Sequence, residues 1–174
     1  MVNNIDKVIA TLRFLELKPD IESYKWRFLI QKTTHLAQSL GLQTNYYFTI
    51  YVAGPYSPSL AMDYYNHRDQ VNSLQSDYEL TSSDIEILSK IKACCDLYHD
   101  LSLMECTSTI VHYMKAMPNM KDEDLFATVK SLKPYLSDST CVIGISKAKE
   151  LLFIPEYLTK ELKKEMDEWE KVED

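Results

Sequence analysis

Glycine is scarce in this chain, with only three in 174 residues, and they are widely separated at positions 41, 54 and 144. A P-loop, a GxGxxG dinucleotide-binding turn and a GxSxG nucleophile elbow each need closely spaced glycines, so none of them is present. The one DxD, at residues 122–124, is typical of negative charge at a helix start and does not predict a metal site. The motif-based case for an enzyme is therefore weak, and no catalytic residue is assigned.

Cysteine is present but lacks any CxxC spacing. The four cysteines are Cys94, Cys95, Cys106 and Cys141. Cysteines in helical segments without such spacing are typical of buried thiols in a reducing compartment. A zinc site would need His99 or His112 to join Cys95 and Cys106, and no pair of these residues has a recognised ligand spacing. Neither a metal nor a cofactor is predicted.

Long apolar runs are missing as well. No run approaches the roughly 20 residues needed to cross a bilayer. Residues 1–17 carry charges where a signal peptide would be apolar. These patterns predict a cytoplasmic protein without a membrane partner.

Basic clusters are few, and the formal net charge is −7 with a sequence pI near 5.1. Nucleic-acid binders draw most of their nonspecific affinity from lysine and arginine contacts to phosphates. Direct nucleic-acid binding is therefore disfavoured, and the net charge favours a basic protein partner.

Helical periodicity runs through most of the chain, and one predicted helix, at residues 23–41, ends at Gly41, directly after its last apolar position. Apolar residues at helical spacing, with prolines and glycines at the breaks, predict a mainly α protein: a compact multi-helix single domain with a small two-stranded antiparallel β element. One strand is predicted within residues 44–53, and its partner at Tyr78–Leu80. Residues 1–154 form the predicted domain. Residues 155–174 are predicted to form a charged amphipathic helix packed on it or extending from it.

The turn "GPYSPSL" at residues 54–60 follows the first predicted strand. Ser57 is a good N-cap and Pro58 a good first helical residue, so a helix should start there. Six of the twelve tyrosines lie between residues 46 and 65. Tyrosine suits half-buried walls as well as interfaces, and both interpretations stay open. The predicted protein-binding residues are Tyr51, Gly54, Pro55, Tyr56, Ser57 and Asp63.

Four segments together resemble a family of small prokaryotic proteins. They are "WRFLIQKTTHLAQSLG", "YYFTIYVAGPYSPSLAMD", "SLMECTSTIVHYM" and "VKSLKPYLSDSTCVIGISKAKELL". Over residues 5–153 the chain is similar to the YwgA-like group and, more distantly, to SocA-like antitoxin (Panacea) domains. The matched positions are Gln31, Lys32, Gly54, Pro55, Tyr56, Ser57, Asp63, Glu105, Thr109, Lys133 and Pro134.

The resemblance implies a protein-binding module. Panacea domains act as antitoxins that neutralise a toxin, or as adaptors that deliver clients to a protease. A toxin or a protease-delivered client is accordingly the expected partner, and the tyrosines and the acidic tail are compatible with a homodimer.

Glu105 is an acid within a largely apolar helix. Ser102 and Glu105 form an S-x-x-E capping box, which explains the glutamate without catalysis. An ion pair from Glu105 to Lys32 or Lys133 would instead create a structural polar network of these three residues. A third hypothesis is a small enzyme that uses Glu105 with His112 or Cys106.

Three functions therefore follow from the sequence. The first is a non-enzymatic cytosolic interaction protein, antitoxin-like or adaptor-like, that uses the tyrosine-rich turn. The alternative is a nucleic-acid-associated regulator or defence component with a local patch around Lys25, Arg27 and Lys32. The small enzyme is the third.

Overall fold

Residues 3–152 form eight α-helices, one 3₁₀ helix and one short β-hairpin in the computed structural model, which otherwise describes Lys164, Glu165, Glu168 and Trp169. The helices are α1 (Asn4–Phe14), α2 (Tyr24–Ser39), α3 (Pro58–Asn66), α4 (Arg68–Asn72), α5 (Ser82–Ala93), α6 (Leu101–Ala116), α7 (Asp122–Leu132) and α8 (Asp138–Leu152), with the 3₁₀ helix at Cys95–Tyr98. The mainly α prediction is confirmed. Most of the predicted helix at 155–174 lies outside the described residues; the four described there are helical.

Helix α2 ends as its sequence predicts. Gly41 has a φ of +115°, which a residue with a side chain rarely adopts. Beyond it, the Leu42 N–H donates to the Ala37 carbonyl at 3.0 Å and the Leu42 side chain is buried. Helix α2 therefore stops where it can bury an apolar residue past its end.

The hairpin pairs β1 (Thr49–Tyr51) with β2 (Gly54–Tyr56) in antiparallel register, with Tyr51 opposite Gly54. Only Val52 and Ala53 lie between the two strands. Residues 54–56 of the predicted turn therefore form the second strand of the hairpin. The sequence had instead predicted that the strand ends before them.

The predicted strand at Tyr78–Leu80 is wrong, because those residues form no strand. The guanidinium of Arg13 donates hydrogen bonds to the carbonyls of Ser76 and Tyr78, at 3.1 and 3.5 Å. The Arg13 side chain therefore occupies carbonyls that would have to accept hydrogen bonds from a paired strand.

Helix α6 lies at the centre of the fold, between α2, α8 and the hairpin. Gly144 lets α8 pack closely against α6, because a Cβ at this position would lie only 2.7 Å from the Cys106 sulfur. Cys94, Cys106 and Cys141 are buried, as predicted for them. A second apolar cluster joins α1, α3 and α4 to the loop before β1.

Two structural findings concern membranes and metal ions. No helix among the described residues is long and apolar enough to cross a membrane. Within the same residues, no group of three or more histidine, cysteine or acidic side chains is placed to hold a metal ion.

Candidate functional site

Helix α2, the hairpin and α3 enclose a cleft of about 230 Å³. We call it the tyrosine cleft, because five of its eleven lining residues are tyrosines. The lining consists of Tyr24, Arg27, Phe28, Gln31, Lys32, Tyr51, Ala53, Gly54, Tyr56, Tyr64 and Tyr65.

One face of α2 provides almost half of this lining. Its five contributors are Tyr24, Arg27, Phe28, Gln31 and Lys32, which follow the i, i+3, i+4, i+7, i+8 spacing of a single helix face. The residues predicted for binding did not include this face. The helical spacing places the five residues on one side of α2, but it does not show that this side meets the hairpin.

Gln31 joins α2 to the start of α3. Its side-chain amide donates to the Ser57 carbonyl at 3.0 Å, and its oxygen accepts from the Ser57 N–H at 2.9 Å. The Ser57 hydroxyl caps α3 by accepting from the Leu60 N–H, as predicted. A buried amide thus satisfies both backbone groups of the capping residue, which holds the turn in one position.

Gly54 brings the hairpin against α6. Its φ is +91°, and a Cβ built there would lie 2.8 Å from the Thr109 hydroxyl oxygen. That hydroxyl donates to the Glu105 carbonyl at 2.7 Å, so it cannot move without losing a buried hydrogen bond. The glycine is required both by backbone conformation and by space.

A closed polar network lies behind the hairpin turn. The Lys133 ammonium is 2.7 Å from the Glu105 carboxylate and donates to the Val52 carbonyl at 2.6 Å. The Tyr135 hydroxyl also donates to the Glu105 carboxylate and, at 3.3 Å, to the Val52 carbonyl. Glu105 is 8% exposed and Lys133 1%. The network therefore anchors the hairpin turn to α6 and to the segment after α7.

The predicted Ser102–Glu105 capping box is wrong. The N-cap of α6 is Asp100, whose carboxylate accepts from the Leu103 N–H at 3.0 Å. Glu105 lies one turn further into the helix, where its side chain contacts Lys133 instead. The S-x-x-E spacing fits a helix that begins just after Ser102, but α6 begins at Leu101, directly after Asp100.

Lys32 is buried at the base of the cleft, only 2% exposed. Its ammonium donates to the Pro55 carbonyl at 2.7 Å and lies 4.9 Å from the centre of the Phe28 ring. Burial lowers its pKa to about 7, with a smaller lowering from Lys133, although the charge of Glu105 acts in the opposite direction. The Lys32 ammonium thus has a backbone carbonyl of the hairpin as its hydrogen-bond partner, whereas the Lys133 ammonium has a carboxylate.

The tyrosines form the outer wall of the cleft. Tyr51 packs against Tyr56 and Tyr64 against Tyr65, with ring centres 5.1 and 5.0 Å apart. Burial is the main cause that raises the pKa of Tyr64, to about 12, so its hydroxyl stays protonated at neutral pH. Tyr24, Tyr51 and Tyr65 are exposed, and so are Val52 and Tyr135 beside the hairpin turn.

The predicted binding residues occupy three kinds of position relative to the cleft. Tyr51, Gly54 and Tyr56 line the cleft, whereas Pro55 and Ser57 support it through backbone hydrogen bonds. Asp63 does not line it. Its carboxylate accepts a hydrogen bond from the Tyr46 hydroxyl at 2.6 Å, and this contact helps to raise the pKa of Tyr46, after burial.

The residues of the enzyme hypothesis are directed to different places. The Cys106 thiol faces α8, and burial raises its pKa to about 12, so it stays protonated. The His112 ring packs 5.6 Å from that of His35, while the Glu105 carboxylate contacts Lys133. The structure does not assemble these groups into an acid–base site.

The basic patch of the nucleic-acid hypothesis lacks one of its members at the surface. Lys32 is buried, and Arg27 is half-buried with one guanidinium nitrogen donating to the Ile21 carbonyl at 2.7 Å. Of the three proposed contacts, only Lys25 is fully exposed.

Comparison of this chain with protein-family models, with curated proteins and with solved structures gives no match. The resemblance to the YwgA-like and SocA-like proteins stays a prediction. Support for a function therefore comes from the tyrosine cleft.

Proposed function

We propose that this chain is a non-catalytic protein-binding module, antitoxin-like or adaptor-like, whose partner docks on the tyrosine cleft. The observation that carries the proposal is a set of exposed tyrosines from α2, the hairpin and α3 around one cleft. Tyrosine is enriched in protein interfaces, and large aromatic anchors dominate their binding energy.

The volume of the cleft supports a macromolecular partner. Small-molecule and cofactor sites usually enclose about 300–1,000 Å³. At about 230 Å³, the tyrosine cleft is smaller and suits one inserted side chain. The exposed Tyr51, Val52 and Tyr135 would then contact the surface around that side chain.

The rigidity of the surroundings supports the same function. Gln31 holds the start of α3, and the Glu105–Lys133 pair holds the hairpin turn, so both walls are tied to core helices. A binding surface held in one conformation loses less entropy when a partner docks. The polar network is accordingly a support for the binding face.

The cellular setting follows from the proposed resemblance. A SocA-like module would act in the cytoplasm on a toxin or on a client bound for a protease. A second copy of the chain is another partner that an aromatic surface of this kind could bind.

Paired tyrosine variants test the docking face. The tagged protein is used to capture partners from lysate of its own cells, with nucleic acid assayed in the same eluates. We expect Tyr51→Ala to abolish capture of one stoichiometric protein, because Tyr51 lines the cleft and is 51% exposed. Tyr47→Ala is the matched control: Tyr47 is 77% exposed in the same segment but lies outside the cleft.

Three outcomes would contradict the proposal. Equal capture by both variants would place the partner elsewhere on the protein. Nucleic acid released by salt, without a protein, would favour the regulator. An empty eluate from a monomeric protein would remove the support for a binding module.

A further inference from the structure

We propose that the tyrosine cleft selects a partner segment by one acidic side chain, whose carboxylate is held by Arg27 and Lys32. This inference rests on the proposed function and specifies the chemistry of its partner. Three properties of the cleft support it: the charge of the lining, the unused hydrogen-bond donors and the exposed apolar side chains nearby.

The charge of the lining differs from that of the whole chain. The lining contains Arg27 and Lys32 and no aspartate or glutamate, although the net charge of the chain is −7. When the only charged residues that line a cleft are bases, the cleft is complementary to an anion, even in a protein that is acidic as a whole. Long-range attraction of a basic partner and contact with a single acidic residue are compatible, since they act at different distances.

The donors in the cleft are underused. An ammonium has three hydrogens and a guanidinium five. Among the described residues, the only hydrogen-bond acceptor of the Lys32 ammonium is the Pro55 carbonyl, and the only one of the Arg27 guanidinium is the Ile21 carbonyl. A carboxylate offers about four lone-pair sites, so it could accept from both residues at once.

Lys32 also has no direct ion-pair partner, although the negative charge of Glu105 compensates it in part. Buried ammonium groups are normally paired with an acid. The Glu105 carboxylate contacts Lys133 and Tyr135, and no ion pair joins it to Lys32. A carboxylate brought by a partner would supply the missing contact, and it would favour the charged form of Lys32.

The surroundings of the cleft favour an acidic residue inside a segment over a chain terminus. Exposed apolar side chains continue beyond the cleft on the hairpin, at Val52, and on α3, at Met62. A segment that runs through the site could cover both. The expected sequence is therefore an aspartate or glutamate flanked by apolar residues.

Two peptides that differ in one group test the inference. Acetyl-Gly-Phe-Glu-Phe-Gly-amide and its glutamine analogue are titrated into the full chain by NMR. We expect the glutamate peptide to bind at least about tenfold more tightly, which is a modest requirement for charge-assisted hydrogen bonds. Phenyl phosphate is titrated separately as a phosphate probe.

Matched lysine variants locate the contact. Lys32→Met should remove the preference for glutamate, whereas Lys25→Met, an exposed lysine two turns earlier on α2, should keep it. If Lys32→Met does not fold, Arg27→Gln takes its place, because Arg27 is only half-buried.

The outcomes separate this inference from the proposed function. Equal binding of the two peptides, or binding of neither, overturns the acidic-residue inference, and so does tighter binding of phenyl phosphate. Partner capture that depends on Tyr51 but not on Lys32 would preserve the docking face and remove the carboxylate. Partner capture indifferent to Tyr51, with a glutamate preference that depends on Lys32, would do the reverse.

Discussion

Two buried lysines on either side of the hairpin have different surroundings. Lys133 pairs with Glu105 and donates to the carbonyl of the turn, in a network that Tyr135 completes. Lys32 donates to a carbonyl of β2 and faces the tyrosine cleft, where no acid is present. The hairpin thus separates a closed, compensated region from an open one.

The comparison shows how the same residue type can have two roles. A buried ion pair holds segments together, and removing one partner leaves an expensive uncompensated charge. A buried cation without an acid is a cost to folding, and such costs often accompany functional sites. We therefore assign support to the Lys133 side and recognition to the Lys32 side.

Glu105→Gln should have the largest effect, because it leaves the Lys133 ammonium buried without its counter-ion. We expect the free energy of unfolding to fall by about 3–5 kcal/mol, as for other broken buried pairs. Chemical denaturation measures it. Glu86→Gln, at an exposed position on α5, is the control and should change stability little.

If Glu105→Gln is as stable as the parent protein, the Glu105–Lys133 pair does not support the fold. The proposed difference between the Lys133 and Lys32 regions would then be contradicted. The double variant Glu105→Gln/Lys133→Met sharpens it, because removal of both charges should restore part of the lost stability.

Gly54→Ala should have the next largest effect, at roughly 3 kcal/mol, from a left-handed backbone and a contact with Thr109. Gly41→Ala is the matched control. Gly41 has a φ of +115°, but its nearest contact is the Ile87 side chain at 3.5 Å, so only the backbone cost of about 1 kcal/mol remains. Thermal or urea unfolding distinguishes the two. Equal losses would show that the close approach of hairpin and α6 has no energetic weight.

Lys32→Met should have the most specific effect, because its effect on stability should depend on pH. Burial lowers the pKa of Lys32 from 10.5 to about 7 in the folded protein. Between these values the unfolded chain binds more protons than the folded one, so the Lys32 contribution to stability becomes more favourable as pH rises. Below pH 7 the full cost of burying the charge is present.

The measurement is the difference in unfolding free energy between Lys32→Met and the parent protein, from pH 6 to pH 9. We expect the advantage of the variant to be largest at pH 6. It should then shrink by at most about 1.4 kcal/mol per pH unit above pH 7. Lys25→Met should show no such trend relative to the parent. A difference independent of pH would mean that Lys32 is not held in an unfavourable charged state.

Sequence reasoning was most successful where the interactions are local. The Ser57 cap and the stop of α2 at Gly41 depend on residues only a few positions apart, and both were predicted. It was wrong about the strand at Tyr78–Leu80 and about the cap of α6. In the first case the Arg13 side chain binds a carbonyl that the strand would need, and in the second Asp100 caps α6 two residues before the predicted cap.

Part of the site was visible for the same reason. Tyr51, Gly54 and Tyr56 were identified because they stand together around a conspicuous turn. Tyr24 and Arg27 were not assigned to it, because nothing local in the sequence shows that this face of α2 meets the hairpin.

The sequence by itself therefore determined the mainly helical fold, the positions of several helix ends and the start of α3 at the Ser57 cap. These depend on backbone preferences and caps that act within about one helical turn. Only the tertiary structure decided that Glu105 pairs with Lys133, 28 residues away, and that Lys32 reaches Pro55, 23 residues away. The physical reason is that a charge pairs with whichever group packing brings within a few ångströms. Spacing along the chain does not specify that choice.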